Sequence, residues 1–191
     1  MDHPNIARFY KTFHVERYFH IVTELCRGKE LTKILKQNGG KIKEKNCRII
    51  IMKILHEINY CHNHGVVHCY LKPDNKIFET PNEEGENNND TILNLLDLKL
   101  IDFGLSSRIK NNQNLNQEVG TSYFIAPEIL KGEYDEKYDM WSIGDILYFF
   151  LSGKFPLTGK STSEIFKVLE IMRLFLKKIY LMIFHKMQSI L

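Results

Sequence analysis

Three short strings of the sequence concentrate side chains that can do chemistry on charged groups. They read HCYLKPDN at 68–75, IDFGLS at 101–106 and GTSYFIAPE at 120–128. Between them they offer carboxylate, amide, ammonium and hydroxyl groups, which in general hold metal ions or stabilise negative charge. A single Asp-Phe-Gly or Ala-Pro-Glu is expected by chance, so the information lies in the joint occurrence of the strings in this order.

A second set of reactive side chains lies just upstream of and within the first string. It contains Cys61 and four histidines, at positions 56, 62, 64 and 68. Imidazole and thiolate ligate zinc, but the spacing matches no standard zinc pattern. A structural role is therefore favoured, with a metal site as the alternative.

Hydrophobic periodicity predicts the elements that must position these residues. Alternating apolar and polar residues in Ile6–Phe13 and Tyr18–Leu25 predict an antiparallel hairpin. Helical spacing and end signals predict four helices, over Glu30–Gln37, Glu44–His64, Lys137–Leu151 and Ser161–Leu169.

Short β-type runs flank the three strings. They are Val66–Val67, Ile77–Phe78 and Leu98–Ile101. Between the last two runs lies PNEEGENNND at 81–90, which is rich in Asn and acidic residues. This composition predicts a low-complexity, disordered insert.

The order and spacing of the three strings resemble the signature set of the eukaryotic protein kinases. The resemblance runs from DHPNI at 2–6, through YFHIVTELCRGKEL at 18–31, to YDMWSIGDIL at 138–147. Within the family the sequence is most similar to calcium-dependent, calmodulin-kinase-like Ser/Thr kinases.

This resemblance implies an α+β, protein kinase-like fold. Its mainly helical C-lobe would be accompanied by only the last part of the N-lobe sheet. The expected parts are an N-lobe remnant with the hinge at 1–27, a C-lobe at 28–170 and a divergent tail at 171–191.

The resemblance also implies which residues act in phosphoryl transfer. Tyr70, Lys72, Asn75 and Thr121 match positions of the catalytic site, and Lys72 is the lysine near the transferred phosphoryl group. Asn75 and Asp102 match the ligands of Mg²⁺.

The same resemblance implies a site for ATP. Thr23 takes the gatekeeper position, and Glu24 and Cys26 lie in the hinge whose backbone holds adenine. Glu30 would reach the ribose and Ile77 would form the floor beneath the base. Together with Asp102, these residues make ATP and Mg²⁺ the expected cofactors.

Two departures from the family pattern put catalysis in doubt. The family has Arg and Asp after His68, whereas this sequence has Cys69 and Tyr70. Tyrosine has an ordinary pKa near 10, and losing a positioned general base typically costs roughly 10²–10⁴ in rate. No Gly-x-Gly or V-A-I-K lysine finds a match in this sequence, so weak or lost nucleotide binding is expected.

Two functions follow as alternatives. The first is an ATP-dependent Ser/Thr kinase acting on protein substrates with basic residues near the Ser or Thr, a preference suggested by Asp74. The second is a catalytically inactive pseudokinase fragment or binding module.

Asp145 also stands where the family has an apolar residue, and burying an unpaired carboxylate there would be costly in free energy.

The composition fits an ordinary globular protein. Among 191 residues, 43% are hydrophobic and 26% are charged, and the net charge of +3 is dispersed, which gives little support for binding nucleic acid. The four cysteines form no Cys-x-x-Cys pair, which favours reduced thiols and a cytoplasmic location.

No apolar run is long enough to predict a membrane span. The tail from Ile171 to Leu191 is read as a divergent terminus, with an amphipathic helix for a membrane surface or a partner as the alternative.

Overall fold

The computed structural model describes residues 2–37, 39–80, 97–109, 115, 122–132 and 134–172. These residues form an α+β fold in which helices predominate, as the kinase resemblance predicts. The helices are α1 (Leu31–Gln37), α2 (Glu44–Asn63), α3 (Lys137–Ser152) and α4, which covers residues 162–172. All four predicted helices are confirmed to within a few residues at their ends.

In the described part of the chain, six short strands form three antiparallel pairs. They are β1 (Phe9–Val15), β2 (Tyr18–Thr23), β3 (Val66–Val67), β4 (Lys76–Phe78), β5 (Leu98–Leu100) and β6 (Ser107–Arg108). β1 pairs with β2, β3 with β6 and β4 with β5. The pairs β3–β6 and β4–β5 carry the two ends of the 68–75 string, so they position the candidate site.

The predicted hairpin is confirmed, but it begins later than the alternation indicates. β1 starts at Phe9, whereas Ile6 forms a parallel bridge with Leu100 of β5 and is buried. The hairpin itself exposes most of its aromatic side chains; Tyr18 is 71% and Phe19 is 79% exposed. Ile6 is therefore part of the core and attaches the hairpin to it, and it is not a residue of the hairpin.

The long helix α2 is the centre of the core. Its predicted apolar stripe is buried at Ile50, Ile51, Ile54, Ile58 and Cys61, while Leu55 packs partly buried against the same cluster. Gly65 follows with a φ of +67°, which only glycine adopts without strain. α2 packs against α3, whose end is likewise followed by Gly153 at a φ of +72°.

The predicted burial of Asp145 on α3 is confirmed. Asp145 is 7% exposed, and its Oδ2 makes no hydrogen bond to any residue that the structure describes. Burial raises the pKa of Asp145 to about 7, and the indole of Trp141 one turn earlier acts in the opposite direction. This carboxylate therefore works against the stability of the helix that anchors the candidate site.

Several predicted segments lie outside the described residues, namely the insert at 81–90 and the tail from 173 onwards. All four cysteines are free thiols. In the part of the chain that the structure describes, no helix is both long and apolar enough to cross a membrane.

Candidate active site

A buried carboxylate at the start of α3 holds the loop that contains residues 68–75. Asp139 is 0% exposed. Its Oδ2 accepts from the backbone N–H of His68 at 2.9 Å, and its Oδ1 accepts from that of Cys69 at 2.9 Å. His62 near the end of α2 lies with Nε2 at 2.8 Å from Asp139 Oδ2. Helices α2 and α3 thus fix the loop through one side chain.

The His62 contact gives a prediction for stability. Replacing His62 by alanine removes one partner of a buried carboxylate, and hydrogen bonds to charged groups contribute about 1.5–3 kcal/mol. We expect His62→Ala to lower the free energy of unfolding by about that amount in urea titrations. His56→Ala, at an exposed position of the same helix, is the matched control; equal losses in the two variants would contradict the contact.

The loop backbone is bent sharply at Cys69, which has a φ of +61°. A side chain in this left-handed region is uncommon and is often found at functional sites. Burial, with a smaller contribution from Asp139, raises the pKa of the Cys69 thiol to about 12, so the thiol stays protonated. Cys69 is 1% exposed, so its side chain is part of the core at the position where the family pattern has arginine.

Tyr70, predicted from the sequence to take the position of the family's catalytic aspartate, contacts Lys72. The Lys72 ammonium donates to Tyr70 Oη at 2.8 Å and lies 4.2 Å from the centre of the ring. The Tyr70 N–H donates to His68 Nδ1 at 3.2 Å, which places the ring proton of His68 on Nε2. The lysine predicted to meet a phosphate is thus engaged by a phenol from its own loop.

The two predicted magnesium ligands lie on neighbouring backbone segments, Asn75 just before β4 and Asp102 just after β5. Asn75 ends a 3₁₀ turn, and its carbonyl accepts from the N–H of Ile101, the residue before Asp102. The Asn75 amide nitrogen donates to Tyr70 O at 2.8 Å, which leaves the amide oxygen as its ligating atom. Asp102 is exposed, has a φ of +65° and accepts from Gly104 N–H at 3.1 Å.

These donors suit Mg²⁺, which is usually bound through one or two carboxylates together with substrate phosphates. Asn75 and Asp102, on two backbone segments joined by the Ile101–Asn75 hydrogen bond, would supply the protein's share of such a site. The remaining ligands would come from the nucleotide and from water.

The residues of the predicted hinge directly follow β2. Thr23 is the last residue of β2, and Glu24 N–H donates to Arg8 O at 2.8 Å. Within the described ranges, the N–H of half-buried Cys26 donates to no other residue. This backbone group can therefore donate to a ligand such as adenine.

A lysine that the sequence reasoning missed forms ion pairs with a residue of the predicted hinge. Lys99 of β5 makes ion pairs with Glu24 at 3.0 Å and with Glu79 at 3.4 Å. Burial opposes its charge, but the hydrogen bonds and charges of these two partners raise the pKa of Lys99 above its ordinary value. Its place within an otherwise apolar strand is the signal by which the sequence could have indicated it.

The remaining predicted ligand residues are arranged around β4. Ile77 is half-buried and forms an antiparallel bridge with Glu30 just before α1. The Glu30 carboxylate accepts from Lys33 at 3.1 Å. The structure thus brings Glu30 and Ile77 together, whereas Thr121 lies outside the described residues and its role stays a prediction.

Comparisons with known proteins agree with the architecture. The family model described as "Protein kinase domain" matches residues 1–189. "CDPK-related kinase 1" of Arabidopsis thaliana is 41% identical over 165 residues, which are 86% of this chain and 27% of that protein. "Calcium-dependent protein kinase 5" of Plasmodium falciparum (isolate 3D7) is 39% identical over 171 residues, 89% of this chain and 28% of that protein.

A third relative has a name that specifies the acceptor residues. "Calcium/calmodulin-dependent serine/threonine-protein kinase 1" of Oryza sativa subsp. japonica is 38% identical over 165 residues, 86% of this chain and 26% of that protein. The chain spans about a quarter of the length of these curated relatives. The chain belongs to the protein kinase family, with calcium-dependent kinases among its relatives.

Proposed function

We propose that this chain is the C-lobe part of a Ser/Thr kinase domain of the calcium-dependent type that binds nucleotide and Mg²⁺ weakly and transfers phosphate to proteins inefficiently. In this role it acts as a pseudokinase-like binding module. The proposal combines retained ligand-binding residues with a catalytic position that has changed its chemistry.

The single observation that carries the proposal is the contact between Lys72 and Tyr70. A phenol that accepts from the lysine at 2.8 Å stands where a carboxylate would orient the substrate hydroxyl. A neutral phenol is a poor proton acceptor at pH 7, and it also engages the positive charge that would stabilise the transferred group.

The nucleotide side of the site supports the binding half of the proposal. Asp102 and the amide oxygen of Asn75 would hold Mg²⁺, which neutralises charge on phosphate oxygens when it is bound. The Cys26 N–H would donate to adenine, and Ile77 would pack beneath it. None of these roles requires the residue that Tyr70 replaces.

An active Ser/Thr kinase is the second candidate. It is favoured by the retention of Lys72, Asn75 and Asp102 together. Its substrates would be proteins with basic residues near the Ser or Thr, because Asp74 is exposed beside the site and would attract them.

Binding and transfer are tested separately on the purified chain. We expect calorimetric titration with ATP to show binding that depends on Mg²⁺. Asp102→Asn should weaken it at least about tenfold, because it removes the charge of one of two metal ligands. Glu44→Gln, at the exposed start of α2, should bind as the wild type does.

Transfer of labelled phosphate from ATP to a basic Ser/Thr peptide should stay at background in the same samples. Efficient transfer by the wild-type chain would replace the proposal with the second candidate. Failure to bind nucleotide with Mg²⁺ present would overturn both.

A further inference from the structure

A buried ion pair joins the middle of α2 to the strand that follows the catalytic loop. Glu57 on α2 is 0% exposed, and Lys76, the first residue of β4, is 1% exposed. The Lys76 ammonium donates to Glu57 Oε2. Neither residue belongs to the site described above, and the periodicity of the sequence singles out neither.

This pair is not explained by stability. The free-energy cost of removing two charges from water offsets most of their electrostatic attraction. Proteins in which such a pair is replaced by apolar residues of similar volume are often as stable or more stable. The compensation here is incomplete, because Glu57 Oε1 makes no hydrogen bond to any described residue.

The position of Lys76 connects the pair to the candidate site. Asn75, a candidate Mg²⁺ ligand, directly precedes it, and Ile77, the candidate floor for the base, directly follows it. Consecutive strand residues point to opposite sides, so Ile77 faces away from the side into which Lys76 points. Two backbone hydrogen bonds flank this segment: Ile101 N–H donates to Asn75 O, and Phe78 N–H donates to Lys29 O.

We propose that Glu57 is a positioning residue for the nucleotide site: as the counter-ion that keeps Lys76 turned into the core, it sets the direction in which Asn75 and Ile77 face. An ammonium without a partner at this depth turns its head towards water. In a strand of three residues that rotation carries both neighbours with it. The inference rests on the proposed function, since it concerns the binding of nucleotide with Mg²⁺.

The affinity of the full chain for ADP with Mg²⁺ tests this role in four variants. Glu57→Gln keeps the shape but removes the charge, and we expect about a tenfold loss of affinity, the size usual for residues that orient metal ligands. Glu57→Gln/Lys76→Met has no charge to compensate and should return to within about threefold of the wild type. Lys76→Met alone removes the ammonium whose rotation would displace Asn75 and Ile77, so it should lose less affinity than Glu57→Gln. Glu44→Gln is the matched control on the same helix.

Hydrogen exchange separates failure of this inference from failure of the proposed function. The amides of Ile101 and Phe78 report the backbone around Asn75 and Lys76 whether or not nucleotide binds. Relative to the Gly153 amide at the end of α3, we expect both to exchange at least about tenfold faster in Glu57→Gln and to recover in the double variant.

The outcomes are distinct. If the wild-type chain does not bind ADP with Mg²⁺, the proposed function fails, and the exchange rates alone decide whether Glu57 positions the strand. A double variant that is no better than Glu57→Gln in affinity and exchange overturns the inference, as does a Glu57→Gln variant that matches the wild type in both.

Discussion

Tyr70→Asp is expected to raise phosphate transfer from ATP to a basic Ser/Thr peptide by roughly 10²–10⁴, the usual contribution of a positioned general base. Under the proposed function, the substitution places a carboxylate where the substrate hydroxyl would be oriented. It also releases Lys72 from the 2.8 Å contact with the phenol. The measurement compares wild type and variant, each alone and fused to an intact kinase N-lobe.

Tyr70→Asn separates the two effects. Asparagine has the size of aspartate and also frees Lys72, but it cannot accept a proton, so this variant should stay near the wild-type rate. Adding Asp102→Asn to Tyr70→Asp should abolish the gain, because the metal ligand is lost. Equal rates for Tyr70→Asp and Tyr70→Asn would show that bulk, and not the missing carboxylate, limits transfer.

Asp145→Leu is expected to stabilise the chain by on the order of 2–4 kcal/mol at pH 8.5. The folded chain holds the pKa of Asp145 at about 7, above the ordinary value of 3.8. A carboxyl group whose pKa is raised on folding favours the folded state at low pH. Its favourable contribution is complete below about pH 4 and is lost as the pH rises towards 7. Leucine removes this penalty and fills the apolar site.

Urea unfolding at pH 5.5 and pH 8.5 checks both the size and the sign. The gain from Asp145→Leu should be about 1–2 kcal/mol larger at pH 8.5, because the penalty keeps growing up to the folded pKa. Glu170→Gln, at an exposed position of α4, should change stability little at either pH. A gain that is the same at both pH values would show that Asp145 stays ionised in the folded chain.

Much of the fold could be predicted because its elements have strong local signals. The stripe of α2 and the glycines at positions 65 and 153 specify where helices lie and end. The attachment of Ile6 to Leu100 could not be predicted, since it joins residues 94 positions apart in the sequence. Alternation describes which side of a strand is apolar, and it does not identify the strand's partner.

The candidate site shows the same division. The motifs indicate Lys72, Asn75 and Asp102 as candidate site residues, because each lies within a short run of sequence that matches the family pattern. The contact of Lys72 with Tyr70 depends on which rotamers the folded loop allows, and the Glu57–Lys76 pair depends on how α2 lies against β4. Such contacts between charged groups in the core follow from packing, for which the sequence carries no periodic signal.

The exposed hairpin has a consequence for how the isolated chain unfolds. β1 and β2 contact each other, but their aromatic side chains bury little area against the helices, and the attachment relies on Ile6, Ala7 and the Lys99–Glu24 ion pair. A segment with few buried apolar contacts opens at a lower free energy than the rest of its domain. The hairpin should therefore be cut by proteases under conditions in which α2 and α3 resist, so that the chain behaves as two cooperative units of unequal stability.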